Sequence, residues 1–302
     1  MPFASAALVA FLAVGVSASG ERGFLSFSAA GPVLPPDKIY VPEHLDASAA
    51  LVVVLHGCEQ DADKIAASTR WNALAEKEGF LVLYPNQQRG LNPYNCWNWF
   101  LPLNEAAGWG EPAAIMAAIG AVKSLYSVDA SRVYVAGLSA GGATAATLLS
   151  CYPDSFAAGA VHSGVAYGLA ADVFTAQSVM KDGPRDRARS GVCDPASFRG
   201  GVLVVQGSSD AVINPSNAER LAADFAGAGA ARTVVAVAPR GEAYGYRLVD
   251  LAGSGARVRE VLVDGLGHAW SGGAPGASAT DPRGPDATGL MWSFFSASRR
   301  AP

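Results

Sequence analysis

The chain is short of charge, and above all of clustered positive charge. Only 16% of its 302 residues are charged, with 22 Lys and Arg against 26 Asp and Glu and a net charge of −4. No run of Lys or Arg stands out, so the basic stripe that neutralises phosphates is missing and nucleic acid is not expected as a partner. Cys-x-x-Cys spacing is also absent: Cys58, Cys96, Cys151 and Cys193 lie far apart, which argues against a zinc site. If the chain is exported, disulfides are expected instead, with three possible full pairings. There is no repeat, no low-complexity tract and no composition break that marks a second folded domain.

Long apolar runs are scarce too. The one at the start, "MPFASAALVAFLAVGVSASG", is interrupted by glycine and too short for a confident membrane span. It ends in small residues, and Val16-Ser17-Ala18 fits a signal cleavage site, so residues 1–18 are expected to be a removed leader. No Lys or Arg stands near Met1, which departs from the usual charged start of such leaders. A secreted or periplasmic location is the expectation, with no membrane partner. Nothing in the sequence signals an oligomeric state.

What the chain has is apolar content, 50%, and 34 glycines. "LVVVLHG" (51–57), "FLVLYP" (80–85), "RVYVAG" (132–137), "AAGAVHSG" (157–164), "GVLVVQG" (201–207) and "VREVLVDG" (258–265) read as buried strands. Between them lie helical patterns. Trp71, Leu74 and Ala75 are helically spaced ahead of Gly79, Pro112 opens a second helix, and Pro153 closes a third. A final helix falls within 285–298. This alternation predicts an α/β fold, a mostly parallel central sheet with helices on both faces, as one catalytic domain over 19–302. The irregular stretch 165–199 is expected to be an insertion over the sheet edge, lid-like or a plain excursion.

In such a sheet, functional groups collect at the carboxyl ends of strands. "GLSAG" places Ser139 between a strand and the next helix, where small neighbours permit a sharp turn and the helix N-terminus favours developing negative charge. Ser139 is therefore the candidate nucleophile. Of four histidines, His44 lies in a polar loop, His56 and His162 end strands, and His268 alone sits late, on a glycine-flanked loop. His268 is the candidate base. Asp210, after the strand 201–207, is the candidate acid, with Asp264 as rival; Asp264 would have to fold back sharply to reach His268. The order Ser139, Asp210, His268 is the one expected of an α/β-hydrolase fold. The oxyanion hole needs two backbone N–H donors, assigned to Ala140 and Cys58.

Several blocks together, "LHGCEQDADKIA", "GFLVLYPNQ", "NCWNWF", "RVYVAGLSAGGATAA", "YPDSFAAGAVHSG" and "GLGHAWSGG", resemble the poly(3-hydroxybutyrate) depolymerase family of secreted esterases, related to feruloyl and acetylxylan esterases. The resemblance runs from about Ile39 to Phe295. It implies a serine esterase with no metal or organic cofactor, acting on a polyester or oligoester. Ser139, Asp210 and His268 fall on the family's triad, and Cys58 and Ala140 on its oxyanion amides. It also implies a Cys58–Cys96 bridge, which leaves Cys151 to Cys193, and makes Trp97 a candidate substrate wall. Polymer-degrading relatives often carry a separate binding domain, and none is expected here. Feruloyl or acetyl esters, an amide-linked polymer, or polymer binding without catalysis are the competing readings.

Overall fold

Strand β3 (Ala49–Leu55) is apolar at every position and buried at every position. A strand of that kind has no solvent face, so helices must cover both sides of its sheet. The computed structural model, which describes residues 21–28, 36–184, 189 and 191–300, shows this arrangement. The expected leader at 1–18 lies outside the described residues.

Ten strands form one sheet: β1 (Gly23–Phe27), β2 (Asp37–Val41), β3, β4 (Leu81–Tyr84), β5 (Val128–Leu138), β6 (Ala158–His162), β7 (Gly201–Gly207), β8 (Ala231–Val237), β9 (Tyr246–Ala252) and β10 (Arg257–Val263). Their order is β1-β2-β4-β3-β5-β6-β7-β10-β9-β8. The six central strands, β4 to β10 in that order, are parallel. The two pairs at the edges are antiparallel. The sheet belongs to the α/β-hydrolase fold.

The helices are α1 (Ala62–Thr69), α2 (Trp71–Glu78), α3 (Gly110–Leu125), α4 (Ala140–Cys151), α5 (Val173–Asp182), α6 (Ser216–Ala226) and α7 (Ala287–Ser296), and a small ladder joins β11 (Trp270–Ser271) to β12 (Thr280–Asp281). Alternate residues of β3 enter different cores. Leu51, Val53 and Leu55 belong to the core that holds Ile115 and Ile119 of α3, Leu148 of α4 and Leu221 of α6. Val52 and Val54 belong to the one that holds Ile65 of α1, Trp71 of α2 and Phe295 of α7. In the second layer the Phe295 ring is stacked between Trp71 at 6.2 Å and Tyr134 at 4.9 Å. Truncating Trp71, which is fully buried, should destabilise the fold by about 3–5 kcal/mol.

The irregular stretch 165–199 contains α5, closed at its start by a capping box between Asp172 and Thr175. Its beginning is anchored, with Val165, Ala166, Tyr167, Leu169 and Ala170 all buried. Its end is anchored as well, because Cys193 is bonded to Cys151 and donates its N–H to the Tyr167 hydroxyl at 3.1 Å.

Candidate active site

Glycine spacing around Ser139 reflects two close approaches of backbone. A Cβ on Gly137 would lie 2.2 Å from the Gly141 carbonyl oxygen, and one on Gly141 would lie 2.4 Å from the Leu55 oxygen and 2.5 Å from the His56 oxygen. The strand-to-helix turn closes only with hydrogen at both positions. Ser139 at its apex has φ 56° and ψ −118°, a conformation side-chain-bearing residues adopt only when the surroundings impose it. Its N–H donates to the His162 carbonyl at 2.9 Å and its own carbonyl accepts the Ala143 N–H at 2.9 Å. Ala140 is the first residue of α4, so its N–H has no acceptor within the helix.

The loop after β3 lies directly against this turn. A Cβ on Gly57 would be 3.6 Å from the Ser139 Cβ. The Gly57 carbonyl is occupied from the other side: His56 Nδ1 donates to it at 2.8 Å and the Gln60 N–H at 3.3 Å. In a trans peptide the N–H points opposite the carbonyl, so the Cys58 N–H is directed away from the His56 ring. His56 Nε2 accepts the Gln87 N–H at 3.1 Å, which fixes the proton on Nδ1. Burial pushes this imidazole down to about 4, and it stays neutral near neutral pH. Cys58 is bonded to Cys96, which ties the loop to the segment carrying Trp97.

Asp210 and His268 follow the carboxyl ends of β7 and β10. His268 Nδ1 lies 2.8 Å from Asp210 Oδ2. Asp210 Oδ1 accepts the Val212 N–H at 2.9 Å and the Ile213 N–H at 2.8 Å, and Gln206 Nε2 donates to Oδ2 at 3.2 Å. Burial alone would raise this carboxyl, but the hydrogen bond and charge of His268 and the two amides outweigh it and hold it below the ordinary carboxylate range. An ionised Asp210 makes Nδ1 the protonated nitrogen and leaves the lone pair on Nε2. The rival Asp264 is exposed and pairs with Arg247 at 3.9 Å, away from His268.

Trp97, the candidate substrate wall, lies on the segment that the Cys58–Cys96 bridge ties to the loop after β3. It is 3% exposed, its ring lies 5.2 Å from the His56 ring, and it lines a cavity of about 320 Å³ with Gln87, Asn98 and Ile115. His44 is exposed in a bend. Sequence reasoning missed the network at Gln87, whose Nε2 donates to the Glu111 carboxylate at 2.6 Å, joined there by Asn98. Among the described residues, no group of three or more His, Cys, Asp and Glu could hold a metal ion.

Residues 38–241 match the family model Esterase PHB depolymerase. Poly(3-hydroxyalkanoate) depolymerase C of Paucimonas lemoignei is 33% identical over 236 residues, 76% of this chain and 57% of its own length. Feruloyl esterase B of Neurospora crassa is 38% identical over 139 residues, 45% of this chain and 46% of its own length. The chain thus spans about half the length of these two relatives. An acetyl xylan esterase from Aspergillus awamori has the same fold, with a TM-score of 0.67 at 22% identity over 86% of this chain and 93% of that one.

Proposed function

The chain belongs to the esterase PHB depolymerase family, and from that premise we propose that it is a serine hydrolase of carboxylic esters, acting on an apolar polyester of the poly(3-hydroxybutyrate) type or its oligomers. The observation that carries the reading is the 2.8 Å bond from His268 to Asp210, set at neighbouring strand ends with a serine held at φ 56°. His268 Nε2 takes the proton of Ser139 as Oγ attacks the ester carbonyl. The Cys58 and Ala140 N–H groups receive the oxyanion. Collapse breaks the acyl–oxygen bond, and His268 returns the proton to the departing alcohol. Water, deprotonated by His268, then attacks the acyl-serine and releases the acid. None of these steps draws on a cofactor.

The polymer half of the proposal rests on the surface. Of the eleven large hydrophobic side chains exposed among the described residues, eight lie between the carboxyl end of a parallel strand and the first turn of the helix that follows it. Leu103 is 60% exposed, Trp109 65% and Phe174 83%. An apolar rim of this kind suits an aliphatic polyester surface better than a hydrated polysaccharide. The two disulfides support a secreted or periplasmic location, and no helix among the described residues is long and apolar enough to cross a membrane. The test is parallel product release from hydroxybutyrate oligomers and polymer, methyl ferulate and acetylxylan, read by mass spectrometry. Hydroxyacid release in clear excess is expected; preferential release of ferulate or acetate would replace the polyester by a plant cell-wall ester.

A further inference from the structure

His162 is fully buried and joins both halves of the site without belonging to the triad. It ends β6, the strand between β5 and β7. Its carbonyl holds the Ser139 N–H at 2.9 Å. Its ring Nε2 accepts the Ser271 N–H at 3.0 Å, three residues beyond His268. A backbone N–H only donates, so Nε2 bears the lone pair and Nδ1 the proton, which is directed to Ser163 Oγ at 3.2 Å. The ring stacks on Trp270 at 5.1 Å and 25°. Ser163 in turn has φ 49° and donates its N–H to Val205 on β7, the strand that leads to Asp210, at 2.9 Å. The nucleophile turn, the base loop and the acid's strand are all fastened to this dipeptide.

We propose that His162 is a positioning residue for the base, fixing the His268 loop through the Ser271 N–H while its own carbonyl fixes Ser139. The inference rests on the triad reading above. Packing alone would be served by any flat ring of this size. The acceptor at Nε2 is the specific part, because Ser271 is fully buried and its N–H would otherwise lack a partner. Burial first, then the nearby His268, holds the His162 imidazole down at about 3, with Asp210 working the other way. The ring therefore remains a neutral acceptor near neutral pH.

Two variants of the full chain separate the acceptor from the ring. His162→Phe keeps a ring to stack on Trp270 and removes the acceptor; His162→Gln loses the ring and places an amide oxygen near the Nε2 position. The readouts are kcat and KM on a soluble p-nitrophenyl ester and the far-downfield proton resonance of the His268–Asp210 hydrogen bond. His162→Phe should lower kcat about a hundredfold with KM within about threefold, and shift or broaden that resonance, since a displacement near 1 Å has such an effect. His162→Gln should recover kcat to within about fivefold of the parent and keep the resonance. An unchanged kcat and resonance in His162→Phe would overturn the proposal, as would a natively melting His162→Gln as impaired as the Phe variant. If His162→Phe does not fold, His162→Gln decides by the same two limits. Should the parent hydrolyse no ester, the triad reading fails on its own, while the proton resonance still reports whether His162 holds the base loop.

Discussion

Replacing Asp210 by Asn probes how the site chooses its tautomer. The carboxylate accepts on both oxygens: Oδ1 from the Val212 and Ile213 amides, Oδ2 from His268 and Gln206. An Asn side chain has one accepting oxygen and one donating nitrogen. If its oxygen stays with the two amides, its NH2 faces His268 Nδ1 and recruits the Nδ1 lone pair, so the imidazole proton moves to Nε2. The base then presents an N–H to Ser139 instead of a lone pair. If the amide is reversed, its NH2 meets the Val212 and Ile213 N–H groups, and each donor left unpaired costs about 1–3 kcal/mol. The first orientation sets only the Gln206 donor against an NH2, one donor against two, and is therefore the one imposed. Asp210→Asn should lower kcat about ten-thousandfold, about 5 kcal/mol of transition-state stabilisation, with little change in KM. The assay is steady-state hydrolysis of a soluble ester with the melting temperature as a fold control. A variant within about tenfold of the parent kcat would refute the reasoning, because no tautomer argument survives so small a loss.

Three further outcomes follow from the same geometry. Gly141→Ala puts a Cβ 2.4 Å from the Leu55 carbonyl, so it should destabilise the fold by about 3 kcal/mol or more in urea titrations, whereas Gly120→Ala, where a Cβ meets nothing within 4 Å, should not. His56 and His162 sit at about 4 and about 3 when folded against about 6.5 unfolded. Below that unfolded value the unfolded chain binds protons that the folded chain refuses, so stability is lost as pH falls, by about 2 kcal/mol per histidine at pH 5. Asp37, raised by burial to about 6, has the opposite sign over part of this window. The expected measurement is therefore a difference: a His56→Gln/His162→Gln double variant should lose about 4 kcal/mol less than the parent between pH 7.5 and 5. Finally, Trp109→Ser with Leu103→Ser should weaken adsorption to polyester film severalfold and leave kcat/KM on a soluble ester within about twofold.

The parts of the molecule legible in the sequence are those where one physical constraint dominates. β3 and β7 are valine-rich apolar runs because both sheet faces are covered, and Ser139 stands out because only glycine fits at 137 and 141. β8 was not legible as a strand: six of its seven residues are exposed, so it lacks the burial signal and is held by pairing with β9 alone. The helix α5 was hidden for a related reason, since only Ala176 and Val179 of it are buried. The choice of Asp210 over Asp264 followed from chain geometry, and the structure gives the carboxylate four donors that no spacing rule reveals. The resemblance offers Trp97 as a substrate wall, while its contact with the His56 ring carries no signal in the sequence. Sequence shows that two residues are close only when they share a turn or a helix face. The contacts of His56 with Gln87 and of His162 with Ser271 join residues far apart in the chain.

The most direct measurement of the central claim is covalent labelling with a fluorophosphonate ester, followed by peptide mass spectrometry and ester assays on Ser139→Ala. The account predicts one adduct, on Ser139, its formation strongly slowed by His268→Ala, and a Ser139→Ala enzyme down by several orders of magnitude. An adduct on another residue, or a Ser139→Ala protein within about tenfold of parent activity, would contradict it.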